Sequence, residues 1–334
     1  CGGGVASSVQ RLFPFSLESV IVEEINSVNF TWKLSDHIEA PLSDLSPFWI
    51  IRRQKLDSLL AAKAIELGAE IIAPFEVEKL QKIGGFWHVT SADKRELKAR
   101  AIVIANGTSS PWTQSLRLGP RSLYYAQTTS LNIKGRGNLN QNSVRFDFGL
   151  VNNGFAWVFP SFNGVNIGIG TFMGENTSNR AEILEKLVFS LGFEPGEGER
   201  SDQLLRVWNG HYPIHGDGIL CVGDAASLCD PFLAEGLRPA LISSYEASKV
   251  INLWLKGSSK DLSEYSKSMR NLWGNSMAWG KRIAQVFYRF PRLGYQLGVK
   301  RPTAPKRIAQ ILSGEMSYEN IAKRVIKRLL FRVK

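Results

Sequence analysis

Apolar and polar positions along the chain change their period three times. Residues 48–72, "FWIIRRQKLDSLLAAKAIELGAEII", open as a continuous apolar run, then set Leu56, Leu59, Leu60 and Ala64 at helical spacing. Gly68 ends that helix, and a strand is expected from Glu70. "GFWHVTSA" and "KARAIVIANG" read as strands, the second apolar throughout, as in a parallel sheet covered on both faces. From Ser122 to Tyr212 the period falls to two in "SVRFDFGLV" and "FAWVFPSFNGVNIGIGTF", with one helix near Arg180 to Gly192. "ILCVGD" is again a buried strand, and the rest of the chain has a helical period. The pattern predicts an α/β domain over residues 1–121, split by an antiparallel α+β insertion over 122–212 and completed over 213–255. A helical region over 256–334 follows.

Asp224 stands where the "ILCVGD" strand runs out, and a helix opens at Gly236 with Pro239 in its first turn. Open parallel sheets bind ligands at the carboxyl ends of their strands. A carboxylate there can accept two hydrogen bonds from a sugar diol, and Gly223 lets the backbone come close. Beyond the turn at Pro231, free N–H groups at the helix start, with the dipole behind them, stabilise negative charge. The same residues also suit a plain strand–helix crossover in which Asp224 is only a cap. Two more stretches offer close approach, "CGGG" at residues 1–4 and the end of a buried strand at Asn106–Gly107.

Composition narrows the class. With 44% hydrophobic and 21% charged residues the chain is globular. No apolar run reaches the ~20 residues of a spanning helix, and no basic-then-apolar leader is present, so a cytoplasmic location is expected. Three cysteines and four histidines lack the spacing of a disulfide framework or a metal site, so no metal is expected. The net charge of +11 is concentrated at one end: residues 251–334 hold 18 Lys and Arg against 4 Asp and Glu, leaving the rest at −3. Those cations alternate with Trp, Phe, Leu and Ile, which favours an anionic membrane surface over nucleic acid, with a solvated face as the plain alternative.

Five stretches, "CGGG", "RRQKLD", "FAWVFPSFNGVNIGIG", "GDAASLCDPFLAEG" and "SGEMSY", occur in an order that resembles the geranylgeranyl reductase family of FAD-dependent oxidoreductases. These are glutathione-reductase-type flavoproteins related to the aromatic hydroxylases. The resemblance implies FAD as cofactor, NADPH or reduced ferredoxin as electron donor, and a polyprenyl lipid or pigment as substrate. By the same resemblance Cys1, Gly2 and Gly4 pass the flavin and its pyrophosphate, with Cys1 also a candidate catalytic thiol. Arg53 contacts FAD, Val77 faces the adenine side, and Asn106 and Gly107 close the buried strand beside the cofactor. Gly223 and Asp224 meet the ribityl–ribose stretch, Pro231 belongs to the cofactor-binding turn, and Gly236 and Leu237 match the backbone over the isoalloxazine. Trp157, Phe159, Pro160 and Gly168 match the aromatic strand pair of the lipid pocket.

The chain departs from the family in three places. The GxGxxG unit is absent, since "GRGNLN" and "GIGTFMG" are spaced differently, so the first βαβ unit of the FAD domain, on the order of 30–45 residues, is missing. Together with a first residue that is Cys, this gives the expectation of an N-terminally truncated fragment. The expected "DG" is Asn106–Gly107, and the first pocket aromatic is Phe155 where the family has Tyr. Two other readings fit the residues: a flavin monooxygenase or halogenase acting on an aromatic ring, and a flavin-free module that binds a lipid surface. A halogenase would show W-x-W-x-I-P, which the chain lacks; a hydroxylase would keep the Asp of "DG".

Overall fold

A seven-stranded sheet forms the largest layer of this computed structural model, which describes residues 2–42, 47–172, 179–301 and 303–331. Its strands run in the spatial order Glu199–Val207, Tyr124–Lys134, Gly164–Thr171, Gly154–Ser161, Ser143–Phe148, Ser27–Trp32 and Ser35–Pro41. The central hairpin pairs Trp157 with Gly168 and Phe159 with Asn166. Strand alternation then divides the sheet. Ala156, Val158, Ile167 and Ile169 pack under helix Arg180–Ser190 through Leu184 and Leu187. Phe155, Trp157 and Phe159 face the other way, into the main core with Phe146.

Residues 27–41, expected inside the first segment, supply the last two strands of this sheet, so the sheet is not confined to residues 122–212. Ser27–Trp32 pairs in parallel with Ser143–Phe148, a contact between segments more than a hundred positions apart that no local pattern reveals.

Three small sheets complete the α/β part. Gly4–Ala6 pairs with Phe48–Ile51, which pairs with Ile21–Ile25, all antiparallel. Ile102–Ile104 and Ile219–Cys221 pair in parallel, as expected of "AIVIA" and "ILCVG". Val77–Ile83, Phe86–Ser91 and Glu96–Ala99 make an antiparallel meander. The strand expected from Glu70 begins instead at Val77, after Pro74, which has no N–H to give a ladder. "KARAIVIANG" is divided between the meander and the parallel sheet.

The helical region packs against the back of the "GDAASLCDPFLAEG" segment. Its buried aromatics hydrogen-bond that segment and the strand before it: Tyr265 Oη to the Cys221 carbonyl (2.8 Å), Trp273 Nε1 to the Leu228 carbonyl (2.8 Å), Tyr288 Oη to the Phe232 carbonyl (2.9 Å) and Tyr318 Oη to Asp230 Oδ2 (2.8 Å). Each phenol or indole buries its ring while its polar atom stays satisfied. Among the described residues no helix is long and apolar enough to cross a membrane.

Candidate functional site

One cleft of about 440 Å³ opens where these layers meet. Its polar lining is built from strand termini and helix starts. Gly2, Gly3 and Gly4 enter beside Arg53 at the start of helix Arg53–Glu66. Gly107, Gly223 and Asp224 follow the two parallel strands, and Gly236 and Leu237 open helix Leu237–Leu255. Thus the carboxyl ends of a parallel pair and a helix N-terminus converge, an arrangement suited to sugar hydroxyls and to an electron-rich ring edge.

Asp224 is mostly buried, and Thr108 Oγ1 donates to its Oδ2 at 3.1 Å. Burial holds the carboxyl above the usual Asp range, while Thr108 and the nearby Arg206 pull it down. Thr108 also reaches the Leu204 carbonyl at 3.0 Å. Gly3 holds φ +77°, and a Cβ there would lie 2.5 Å from the Ile51 carbonyl, so the loop needs glycine to run this close to its neighbour strand. Gly107 differs: a Cβ there would meet nothing within 4 Å, leaving the strand end bare toward the cleft.

The rest of the lining is aromatic, and the glycine loop runs against it: a Cβ on Gly2 would lie 2.6 Å from Phe159 and one on Gly4 2.4 Å from Phe48. Phe159 packs edge-on against Phe146 (5.4 Å between centroids) and Phe48 (6.3 Å), and Phe155 packs against Phe172 (4.8 Å). Trp157 is fixed by its Nε1 donating to Asn166 Oδ1 at 2.8 Å, and Asn166 in turn donates to Asn132 Oδ1 at 2.8 Å. The indole therefore offers a rigid wall with no free polar atom.

The structure gathers most of the residues singled out from sequence. Gly2, Gly4, Arg53, Gly107, Gly223, Asp224, Gly236, Leu237, Trp157 and Phe159 all line this cleft. Five others do not. Val77 begins the meander, paired with Ser91, away from the cleft. Asn106 is exposed between two lining residues. Pro231 is buried in the turn behind the cleft. Pro160 pairs with Val165 and, by alternation, takes the opposite face of the hairpin from Phe159. Gly168 lies beneath the indole: a Cβ there would come within 2.1 Å of Trp157, so it makes room for the wall without lining the cleft. Cys1 lies outside the described residues.

Sequence reasoning missed Phe48, Phe146 and Phe172, which come from three separate strands or their edges. It also missed Thr108, two positions after Asn106, whose hydroxyl would have been a reasonable partner for an acid on the adjacent strand.

FAD fits the residues present. A carboxylate at a strand end, a bare glycine at the neighbouring end and a helix start with no side-chain cap are the groups a flavin nucleotide needs. Asp224 would take the sugar hydroxyls, and the amides after Gly236 would face the isoalloxazine.

A family profile for FAD-dependent oxidoreductases matches residues 44–252. A digeranylgeranylglycerophospholipid reductase of Methanocaldococcus jannaschii is 25% identical over 249 residues, 67% of this chain and 61% of that relative. A menaquinone reductase of Mycobacterium tuberculosis is 26% identical, covering 61% of this chain and 52% of its own length. The chain spans roughly three fifths of the curated relatives it matches. Among solved structures, a geranylgeranyl bacteriochlorophyll reductase-like protein from Thermoplasma acidophilum superposes with a TM-score of 0.77 at 17% identity, covering 97% of this chain and 85% of that one.

Proposed function

The chain belongs to the FAD-dependent oxidoreductases, and from that premise we propose that it reduces C=C bonds of a polyprenyl lipid with hydride from bound reduced flavin. The carrying observation is one cleft with two kinds of lining. The polar groups suit the cofactor, and the wall of Phe155, Trp157 and Phe159 suits an alkene chain. An isolated alkene is a poor hydride acceptor, so it must be held in place and kept dry. Rigid rings with satisfied polar atoms do both. The relatives named as digeranylgeranylglycerophospholipid and menaquinone reductases support a polyprenyl substrate.

A substrate of this kind resides in a bilayer, and an anionic membrane surface is the proposed docking partner. Between residues 265 and 314 the chain carries ten Lys and Arg and no Asp or Glu. The hairpin of helices Asn275–Arg289 and Pro291–Gly298 buries Phe287 and Tyr295 against Phe148 and turns Phe290 and Leu293 outward, 58% and 56% exposed. Arg289 and Arg292 flank them with no ion-pair partner among the described residues. Apolar side chains ringed by cations suit an interface of anionic headgroups.

The test is purification of the chain in its complete reading frame. The proposal expects bound FAD that bleaches under NADPH or reduced ferredoxin without stoichiometric peroxide. A protein that makes peroxide and modifies an aromatic ring is a monooxygenase or halogenase instead; a colourless protein that binds anionic vesicles is a lipid-binding module.

A further inference from the structure

A second cavity, of about 330 Å³, lies across a single turn from the cofactor cleft. Gly223 and Asp224 line the cleft, and Ala226, Ser227 and Leu228, the residues that follow, line the cavity. The Ser227 amide donates to the Asp224 carbonyl at 3.0 Å and the Leu228 amide to the Gly223 carbonyl at 3.3 Å, so one compact turn serves both walls. The body of the cavity is apolar, with Trp208, Ile214, Leu228 and Met269 all buried in its lining. Trp208 meets His211 edge-on, 5.3 Å between centroids, and its Nε1 has no hydrogen-bond partner among the described residues. The helical region adds a single π turn, Arg270–Gly274, whose two end residues both line the cavity. Isolated π turns recur at functional sites. This one needs its glycine: a Cβ on Gly274 would lie 2.8 Å from His211 Cε1.

The charged lining has one sign. His211, His215, Lys267 and Arg270 line the cavity, and among the described residues no Asp or Glu does. The exposed Arg270 side chain has no ion-pair or hydrogen-bond partner among the described residues. Lys267 shares only an exposed 3.4 Å pair with Glu264, the weak kind that a ligand can replace. Asp261, beside His215, is held by the Ser263 amide at 2.8 Å. Ser266 Oγ accepts from the Ile214 amide at 3.1 Å and lies 2.7 Å from His215 Nδ1, which assigns the hydroxyl proton to Nδ1 and the ring proton to Nε2. We propose that this cavity is a second ligand site and that its ligand is a small flat organic anion, an aromatic ring system carrying one carboxylate, sulfonate or phosphate group. The ring buries against Trp208 and Met269, and the anionic group pairs with Arg270 and Lys267. A bare inorganic anion would leave the apolar walls uncovered, and a neutral ring would leave Arg270 unpaired. The size is within the range of small-molecule pockets. This site is independent of the reaction assigned to the cleft.

Anilinonaphthalene sulfonate is an anion of this class, and phenylnaphthylamine is the same ring system without the charge. Fluorescence titration of the FAD-loaded protein with each, excited through tryptophan, tests the site. The sulfonate is expected to saturate and to bind more tightly than the amine. Arg270→Gln combined with Lys267→Gln should weaken the sulfonate about tenfold or more, the low end for a hydrogen bond to a charged group. Amine affinity and Tm should be unchanged, since both replaced side chains are exposed. His211→Ala, which removes a ring from the lining, should weaken both probes. A wild-type protein with no saturable sulfonate binding overturns the site. So does sulfonate affinity that the double variant leaves unmoved, because that binding lies in the cleft or on another surface. An amine bound as tightly as the sulfonate overturns the anionic class.

Discussion

Replacing Asp224 should separate cofactor affinity from stability. In Asp224→Ala the loss falls on the ligand, because the Thr108 hydroxyl, released from Asp224, gives its one proton to the Leu204 carbonyl 3.0 Å away. A hydrogen bond to a charged group is worth about 1.5–3 kcal/mol. Two such bonds to a sugar diol amount to about 3–6 kcal/mol, or about 10²–10⁴-fold in Kd. Flavin fluorescence quenching in an FAD titration of the flavin-free protein measures this. Stability should move the other way. Burial holds the Asp224 carboxyl above its unfolded value, so ionising it costs stability as pH rises through the carboxylate range, and the cost persists at neutral pH. Asp224→Asn should therefore raise the Tm of the flavin-free protein at about pH 7–8, and the gain should vanish below about pH 3.5, where the acid is protonated in both states. An Asp224→Ala protein that holds FAD at wild-type affinity would falsify the role given to this carboxyl. So would an Asn variant less stable at neutral pH than at acid pH, relative to wild type.

Other substitutions probe the remaining parts. Gly168→Ala places a methyl group against the Trp157 indole and should cost about 1–3 kcal/mol by thermal denaturation; an unchanged Tm would mean that the hairpin and indole do not interlock. Phe290→Ser with Leu293→Ser should weaken binding to anionic vesicles by about 2–3 kcal/mol if the exposed parts of the ring and of the leucine chain enter the interface, read by vesicle co-sedimentation. Neutralising Lys323, Arg324, Lys327 and Arg328 should matter less than those two changes, since Lys323 is already paired with Glu319 at 2.7 Å. The opposite ranking would place the membrane contact on the terminal helix. The side chain of Arg328 lies outside the described residues.

The parts of the site legible in sequence were those whose signal is local. Asp224 and Gly236 could be recognised because an apolar strand ending in "GD" and a helix start with proline are patterns of adjacent residues. Trp157 and Phe159 shared a face by simple alternation, which the hairpin obeys. That same alternation excludes Pro160, whose position in the motif was a weaker guide than its parity. What stayed hidden depends on long-range pairing. The strand Ser27–Trp32 reads like any other, and nothing nearby says that its partner is Ser143–Phe148. The aromatic wall draws Phe48, Phe146 and Phe172 from segments that meet only in three dimensions. "SGEMSY" carries the family pattern but no local structural signal; its Tyr318 bonds Asp230 behind the cleft-lining loop, a partner 88 positions away.

The central claim is tested most directly by an anaerobic single turnover. Reduced, FAD-loaded protein is mixed with a geranylgeranyl lipid without oxygen or donor, and the flavin absorbance and product mass are followed together. The account predicts that the yellow colour returns as lipid appears that is heavier by one pair of hydrogens for each flavin oxidised. Flavin that stays bleached until oxygen is admitted, with the lipid unchanged, would contradict it.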